Sequence, residues 1–272
     1  MHLLENFALN SGSKIDKPYI YDTYIPLQWD TDKYITFQPW GTDRFDSRKY
    51  SYWEEVLDIL RPIFNKENIH IVQIGRANEP QIKGTMSMAG KTTINQAAYL
   101  IKNSILHLGV DSFGVHFASG FEKKIVALYS NMTPELSGPY WSKPEDVRLI
   151  SSLEEGESPS YSMVEDPKTI DRIKAEFIAK QVCELLNLEF TYDFETVYTG
   201  KEYAQKRIEV VPTNHIGNWQ DFNVDSLILR MDKHFNEGVC ASQLEKCKCS
   251  IVSDKPIRLD LLNFYKDNLQ FY

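Results

Sequence analysis

The chain has 272 residues, 42% hydrophobic and 25% charged, the composition of an ordinary globular protein with one large or two small domains. Its net charge is −8, from 30 Lys and Arg against 38 Asp and Glu, which argues against a general nucleic-acid-binding face because phosphates are neutralised by positive charge. No apolar run approaches the ~20 residues of a membrane span, and the start MHLLENFALNSGSK lacks the basic and then apolar stretches of a secretory leader, so a cytoplasmic protein is expected.

Residues 1–32, rich in Tyr, Asp and Pro and without a long period, read as an extended lead-in. Residues 34–38 (YITFQ) form a short β-type run closed by Pro39-Trp40-Gly41-Thr42-Asp43. Trp53, Val56, Leu57 and Leu60 then fall at i, i+3, i+4 and i+7, the stripe of an amphipathic helix. Residues 69–75 (IHIVQIG) read as a buried strand, 92–103 as a helix capped by Thr92 or Thr93, and 105–110 as another strand. A short small-residue helix over 114–120 and a strand over 124–129 continue the alternation. Met86 and Met88 carry no signal beyond loop or core filling, and Trp40, Trp53 and Trp141 read singly as packing residues.

Residues 151–168 are acidic and rich in Ser and Pro and read as an exposed connection. A helix over about 169–188 follows, with Ile173, Phe177, Ile178, Val182, Leu185 and Leu186 on its apolar side. The tail reads as strands at 208–212, 226–231 and 249–253, helices at about 236–247 and 258–267, and a last strand-like run at 269–272. The expected class is therefore α/β: a Rossmann-like parallel sheet over 33–190 with helices on both faces, and a small C-terminal β-α-β extension over 191–272. The four cysteines are Cys183, Cys240, Cys247 and Cys249; the Cx6CxC spacing of the last three lacks paired CxxC units, so reduced thiols are expected, with no metal.

The stretch 108–141 carries the chemistry. Asp111 and Ser112 follow a strand directly and open a short helix, where free backbone N–H groups and a hydroxyl suit an anion. Gly114 and His116 lie on the first turns of that helix, and the same Asp and Ser would equally serve as a plain helix cap. Strand ends of a parallel sheet share one edge, so Glu79, Asp111, Ser112 and His116 are expected to border one cleft.

This stretch resembles the donor half of glycosyltransferase family 9, the ADP-heptose:lipopolysaccharide heptosyltransferases. The family reads Asp-Thr/Ser-Gly-x-x-His-x-Ala-Ala, then a basic turn, a strand and a loop ending in Gly-Pro. The chain carries Asp111-Ser112-Phe113-Gly114-Val115-His116-Phe117-Ala118-Ser119, then Lys123-Lys124, IVALYS and Thr133 to Gly138-Pro139. Ala89-Gly90-Lys91-Thr92-Thr93 is similar to the family's Gly-Lys-Thr/Ser segment and is no P-loop, since that frame needs glycine where Thr85 stands. Ile170, Ile173 and Ile178-Ala179 resemble the family's later isoleucine-spaced helix. Phe113 departs from the pattern by replacing a glycine.

Over about 33–187 the resemblance implies one GT-B-type donor lobe that holds a nucleotide-diphosphate sugar, ADP-linked by family likeness. The sugar would pass to an acceptor hydroxyl on a saccharide. The diphosphate would lie on Asp111, Ser112, Phe113, Gly114 and His116, and Glu79 would hold ribose hydroxyls. Arg48 or Lys49, with Arg44 in reserve, would neutralise the departing diphosphate. The family's catalytic Asp lies in an acceptor half that precedes the donor half. Only about 32 residues precede it here, and no motif selects among Asp16, Asp22, Asp30 and Asp32. The alternative is a non-catalytic nucleotide-sugar-binding or assembly protein lacking the acceptor lobe. The C-terminal extension reads either as a partial second lobe, placed after the donor half, or as the start of a further domain, since 269–272 is strand-like.

Overall fold

The computed structural model describes residues 1–27, 33–42, 44–197, 206–213 and 224–272. Two compact units emerge, Met1–Thr196 and Val197–Tyr272. In the first, six parallel strands are ordered β3-β2-β1-β4-β5-β6. They are β1 (Tyr34–Gln38), β2 (His70–Gln73), β3 (Met86–Ser87), β4 (Leu106–Val110), β5 (Ile125–Tyr129) and β6 (Val147–Ser151). Every residue of β1, β4 and β5 is buried, as expected of parallel strands covered on both faces. The register places Ile35 between Ile71 and Leu106, and His107 beside Ile125.

Alternate strand residues face opposite sides. Ile35, Phe37, Leu108 and Val126 pack with α2 (Trp53–Lys66) and α6 (Ala175–Leu186) through Trp53, Leu57, Ile178 and Val182. Val72, Ile74 and Ala127 pack on the other face with α3 (Ile94–Asn103) and α4 (Phe113–Gly120) through Leu100, Ile101, Val115 and Ala118. The chain builds outward from β1 to β3, then returns through α3 to β4 on the other side of β1. The strand order therefore reverses between β1 and β4, and the carboxyl edge at such a reversal is where ligands of open α/β sheets commonly bind.

The structure corrects several expectations. Within the lead-in, α1 (Leu3–Ser11) is helical. His2 and Glu5 form its capping box and Gly12, at φ 65°, ends it in the left-handed conformation. It buries none of its residues, which is why no apolar stripe announces it. Strands β3 and β6 were not anticipated: β3 spans two residues, and β6 is an edge strand that buries only Ile150. The helix expected over 169–188 divides into a 3-10 turn at Thr169–Arg172 and α6, and Phe177 points to solvent while Ile170 is buried.

The connection after β6 is exposed as expected, yet it is tied back to the sheet edge. Ser47 Oγ and Asn131 Nδ2 both donate to the Ser162 carbonyl at 2.9 Å, and Ser47 N–H donates to the Met163 carbonyl at 3.1 Å. Thr93 caps α3 in a capping box with Gln96. Gly90 has φ 69°, and a Cβ there would lie 2.4 Å from Ala77 Cα, so the Gly-Lys-Thr segment needs its glycine for backbone packing. Of the tryptophans, Trp53 is in the core and donates to the Pro39 carbonyl at 3.1 Å.

The second unit is a four-stranded parallel sheet in sequential order: β7 (Arg207–Val210), β8 (Ser226–Arg230), β9 (Cys249–Val252) and β10 (Leu269–Phe271). Helix α7 (Glu237–Leu244) joins β8 to β9 and α8 (Leu259–Phe264) joins β9 to β10. Leu227, Leu229, Leu244, Ile251 and the thiols of Cys240, Cys247 and Cys249 form its core. Burial pushes the Cys240 thiol up to about 11, which keeps it protonated at neutral pH.

Candidate functional site

Asp111 leaves the end of β4 and turns its carboxylate inward, with 6% of the side chain exposed. Arg48, from the 3-10 turn Asp46–Arg48, meets it: Nη1 lies 3.1 Å from Asp111 Oδ2 and also donates to the Asp111 carbonyl at 3.1 Å. Arg48 Nε donates to Asn131 Oδ1 at 2.9 Å, and its guanidinium sits 4.5 Å from the Phe45 ring centroid. Ser137 Oγ, at the end of the short helix α5 (Pro134–Ser137), donates to Asp111 Oδ2 at 3.1 Å. Burial raises the Asp111 carboxyl above the ordinary carboxylate range, opposed by Arg48, His116 and the Ser137 hydrogen bond.

His116 completes this group. Burial lowers its imidazole below the ordinary value and Asp111 opposes that, while His2 and Arg48 act with the burial. His116 is thus held neutral next to the ion pair. His2 lies at the same edge, its Nε2 3.0 Å from the Gly138 carbonyl.

Lys49 follows a different course from Arg48. It pairs with Asp46 at 3.2 Å, away from Asp111, and Arg44 is exposed. The Lys123-Lys124 turn lies at the opposite edge of the sheet, where Lys124 Nζ donates to the Leu185 carbonyl near the end of α6 at 2.7 Å. Asp22 pairs with Lys102 in the last turn of α3, and Asp16 adjoins Lys17, which pairs with Glu122 beyond α4; both carboxylates belong to that far edge. Asp30 and Asp32 lie outside the described residues.

The start of α4 differs from the expected open cap. Ser112 is the N-cap residue but makes no side-chain cap bond. Its Oγ accepts from Gln38 Nε2 at 3.0 Å, and Gln38 Oε1 accepts from the Gly114 N–H at 3.1 Å. Gly114 makes this possible, since a Cβ there would lie 2.5 Å from Gln38 Oε1 and 2.6 Å from His107 Cε1.

The Phe113 ring packs edge to face on Phe117, with centroids 5.5 Å apart, against the core shared with α3. Phe113→Gly is therefore expected to cost roughly 1–3 kcal/mol of stability with no gain in nucleotide affinity. Urea unfolding and calorimetry on the same variant check both halves; tighter nucleotide binding would place the ring in the ligand's way instead.

Glu79 follows β2 at the same sheet edge. Its Oε1 pairs with Arg76 Nε at 3.1 Å, and Arg76 Nη2 reaches the Gly41 carbonyl after β1 at 2.8 Å. Glu79 Oε2 occupies the space over Gly75, 1.8 Å from where a Cβ would stand. Gln38, Asn131 and Ser137 are polar residues of this edge that the sequence reading did not select. The signal for Gln38 and Asn131 was a polar residue at or just after the end of an apolar strand.

Over residues 22–169, just over half of the chain, the sequence matches the pattern of glycosyltransferase family 9 (heptosyltransferase). The chain belongs to glycosyltransferase family 9. Among curated relatives, lipooligosaccharide heptosyltransferase 2 of Haemophilus influenzae is 34% identical over 65 residues, which are 24% of this chain and 19% of that protein. A solved family 9 glycosyltransferase of Veillonella parvula is 19% identical, with a TM-score of 0.46 over 67% of this chain and 50% of its own. The Escherichia coli heptosyltransferase WaaC solved with ADP is 15% identical, with a TM-score of 0.43 over 66% of this chain and 54% of its own. The chain thus spans a fifth of that curated relative and about half of those solved family members.

Proposed function

We propose that this family 9 chain binds a nucleotide-diphosphate sugar at the carboxyl edge of the sheet, where the strand order reverses between β1 and β4, and serves transfer of the sugar to a saccharide hydroxyl. The observation that carries the reading is the buried Arg48–Asp111 pair standing beside the start of α4 at the switch in strand order. Among the described residues no acceptor faces the Ser112 and Phe113 N–H groups, which lie where a helix start favours negative charge. Ser112 Oγ–H adds a hydroxyl donor. Neutral His116 adds a ring nitrogen without repelling a cation, and Asp111 fixes Arg48 in place.

In transfer, the bond between the sugar's anomeric carbon and the β-phosphate oxygen breaks and its electron pair stays on that oxygen. The acceptor oxygen forms the new bond and its proton passes to water. Arg48, rather than Lys49, neutralises the charge that grows on the departing diphosphate, because Lys49 is turned to Asp46. Glu79 offers the ribose hydroxyls only Oε1, which Arg76 also holds, since its side chain is 5% exposed and Oε2 is packed over Gly75. An ADP-sugar is the first donor to try, as ADP is the ligand named for the solved WaaC. A cytoplasmic location, where buried cysteines stay as thiols, is part of this reading.

Calorimetry with ADP, GDP and UDP, followed by transfer assays with the matching sugars, tests the reading. One diphosphate is expected to bind, and to bind about tenfold or more weakly after Ser112→Ala. Binding without transfer to any saccharide would favour the non-catalytic alternative. No binding of any diphosphate would overturn the donor site.

A further inference from the structure

Gln38 is the last residue of β1 and is almost fully buried, with 3% exposed. Its amide spans the start of α4 through the Gly114 N–H at 3.1 Å and Ser112 Oγ at 3.0 Å. A backbone N–H can only donate, so the first bond identifies the amide oxygen; the amide nitrogen must then donate to Ser112. Ser112 Oγ is therefore an acceptor toward the protein. Its hydroxyl hydrogen has no acceptor among the described residues. Turning the amide over would set its NH2 against the Gly114 N–H, donor against donor, so hydrogen-bond polarity fixes its orientation.

Building on the donor-site reading, we infer that Gln38 is a positioning residue for the diphosphate. It withdraws the Gly114 N–H from the ligand and holds Ser112 with its O–H free to donate outward. The donors left to a phosphate are the Ser112 hydroxyl and the N–H groups of Ser112 and Phe113. Selectivity for an anion then comes from hydrogen-bond polarity: an amide at position 38 sends the serine proton toward the ligand, and a carboxylate at the same place would draw it inward.

The test measures ADP, GDP and UDP binding by calorimetry, with melting curves, on the unmutated chain, Gln38→Leu, Ser112→Ala, the double variant and Gln38→Glu. Gln38→Leu removes the amide at similar volume and is expected to weaken the bound diphosphate about tenfold, but less than about twofold once Ser112 is already replaced by Ala. Gln38→Glu accepts from both Gly114 N–H and Ser112 O–H and sets a negative charge beside the phosphates. Its affinity is expected to fall by at least about a hundredfold at neutral pH, and its melting temperature to fall too, because a carboxylate at a 3%-exposed position gives up water for a weaker helix-start interaction; calorimetry is therefore run well below that melting temperature, on folded chain. A merely structural Gln38 would instead give equal losses with and without the Ser112 hydroxyl, following the loss of stability. Equal losses, or a Gln38→Glu chain that binds like the unmutated one, overturn the inference. Failure of the unmutated chain to bind any of the three overturns the donor reading, and this inference with it.

Discussion

Arg48→Leu is expected to destabilise the first unit by roughly 3–5 kcal/mol, the usual cost of leaving a buried charge without its partner. Asp111 has 6% of its side chain exposed and Arg48 15%, so water replaces little of what the substitution removes. The contacts to Asn131 Oδ1 and the Asp111 carbonyl go as well. Asp111→Asn is expected to cost less, because it removes the buried negative charge and leaves a cation with other acceptors. Lys49→Leu should stay within about 0.5 kcal/mol, since its partner Asp46 is a half-exposed neighbour. Urea unfolding of the three variants checks the order. A loss under about 1 kcal/mol for Arg48→Leu, or a larger one for Lys49→Leu, would mean that the Asp111 pair does not organise this edge.

Between pH 6.5 and about 3, the chain is expected to lose stability through His107, a residue outside the proposed donor contacts. The side chain is fully buried in the middle of β4. Ser104 Oγ donates to the Ile101 carbonyl at 2.8 Å and Thr36 Oγ1 donates to Ser104 Oγ at 3.3 Å. The Thr36 hydroxyl proton is thereby spent, so His107 Nδ1, 3.0 Å away, must be the N–H that donates to it. Nε2 is then the bare nitrogen, buried beneath Gly114 with no hydrogen-bond partner among the described residues. A second proton would find no acceptor there, and burial lowers the imidazole from 6.5 to about 3.

The unfolded chain takes up a proton near pH 6.5 that the folded chain refuses until about pH 3. Stability from this source is therefore complete above 6.5 and is lost as pH falls between the two values, by about 1.4 kcal/mol per pH unit. Moving from pH 7.5 to 4.5 should cost about 2–3 kcal/mol on this account. Carboxylates titrate too, so the measurement is a comparison: urea unfolding of the unmutated chain and of His107→Asn at both values. His107→Asn keeps a donor near the Nδ1 position and does not titrate, and is expected to show the smaller loss by that amount. Equal losses in the two chains would mean that His107 is charged in the fold or that its site admits water.

The α/β class and the strands β1, β4 and β5 were legible in the sequence because each is buried on both faces, which leaves a continuous apolar run bounded by helix-period segments. Helix α2 was legible by its four-point stripe, and α3 by its capping threonine. Elements that bury little left no such trace: α1 buries nothing and β6 a single residue. The stretch from Asp111 to His116 was legible as a candidate because its order of residue types follows directly on a strand. Its internal arrangement was not, and Phe113 shows why. A ring at the first position of a helix projects either toward a ligand or toward the neighbouring helix, and only the packing of α3 against α4 selects the second.

Strands β1, β2, β4 and β5, helices α2 and α3, and the strand end that carries Asp111, Ser112 and His116 are encoded locally, because periodicity, capping and strand termini depend on residues close together in the chain. That Arg48 and not Lys49 meets Asp111, and that Gln38 holds the start of α4, follows from contacts made across the folded chain. Arg48 and Asp111 are 63 residues apart, and Gln38 and Ser112 are 74 apart. Their contacts exist because β4 returns to pair with β1, and because the tether of Ser47 to Ser162 and Met163 fixes which face of the 3-10 turn looks inward. Two adjacent cations are equivalent to local physics; a buried carboxylate reached by one of them makes them different.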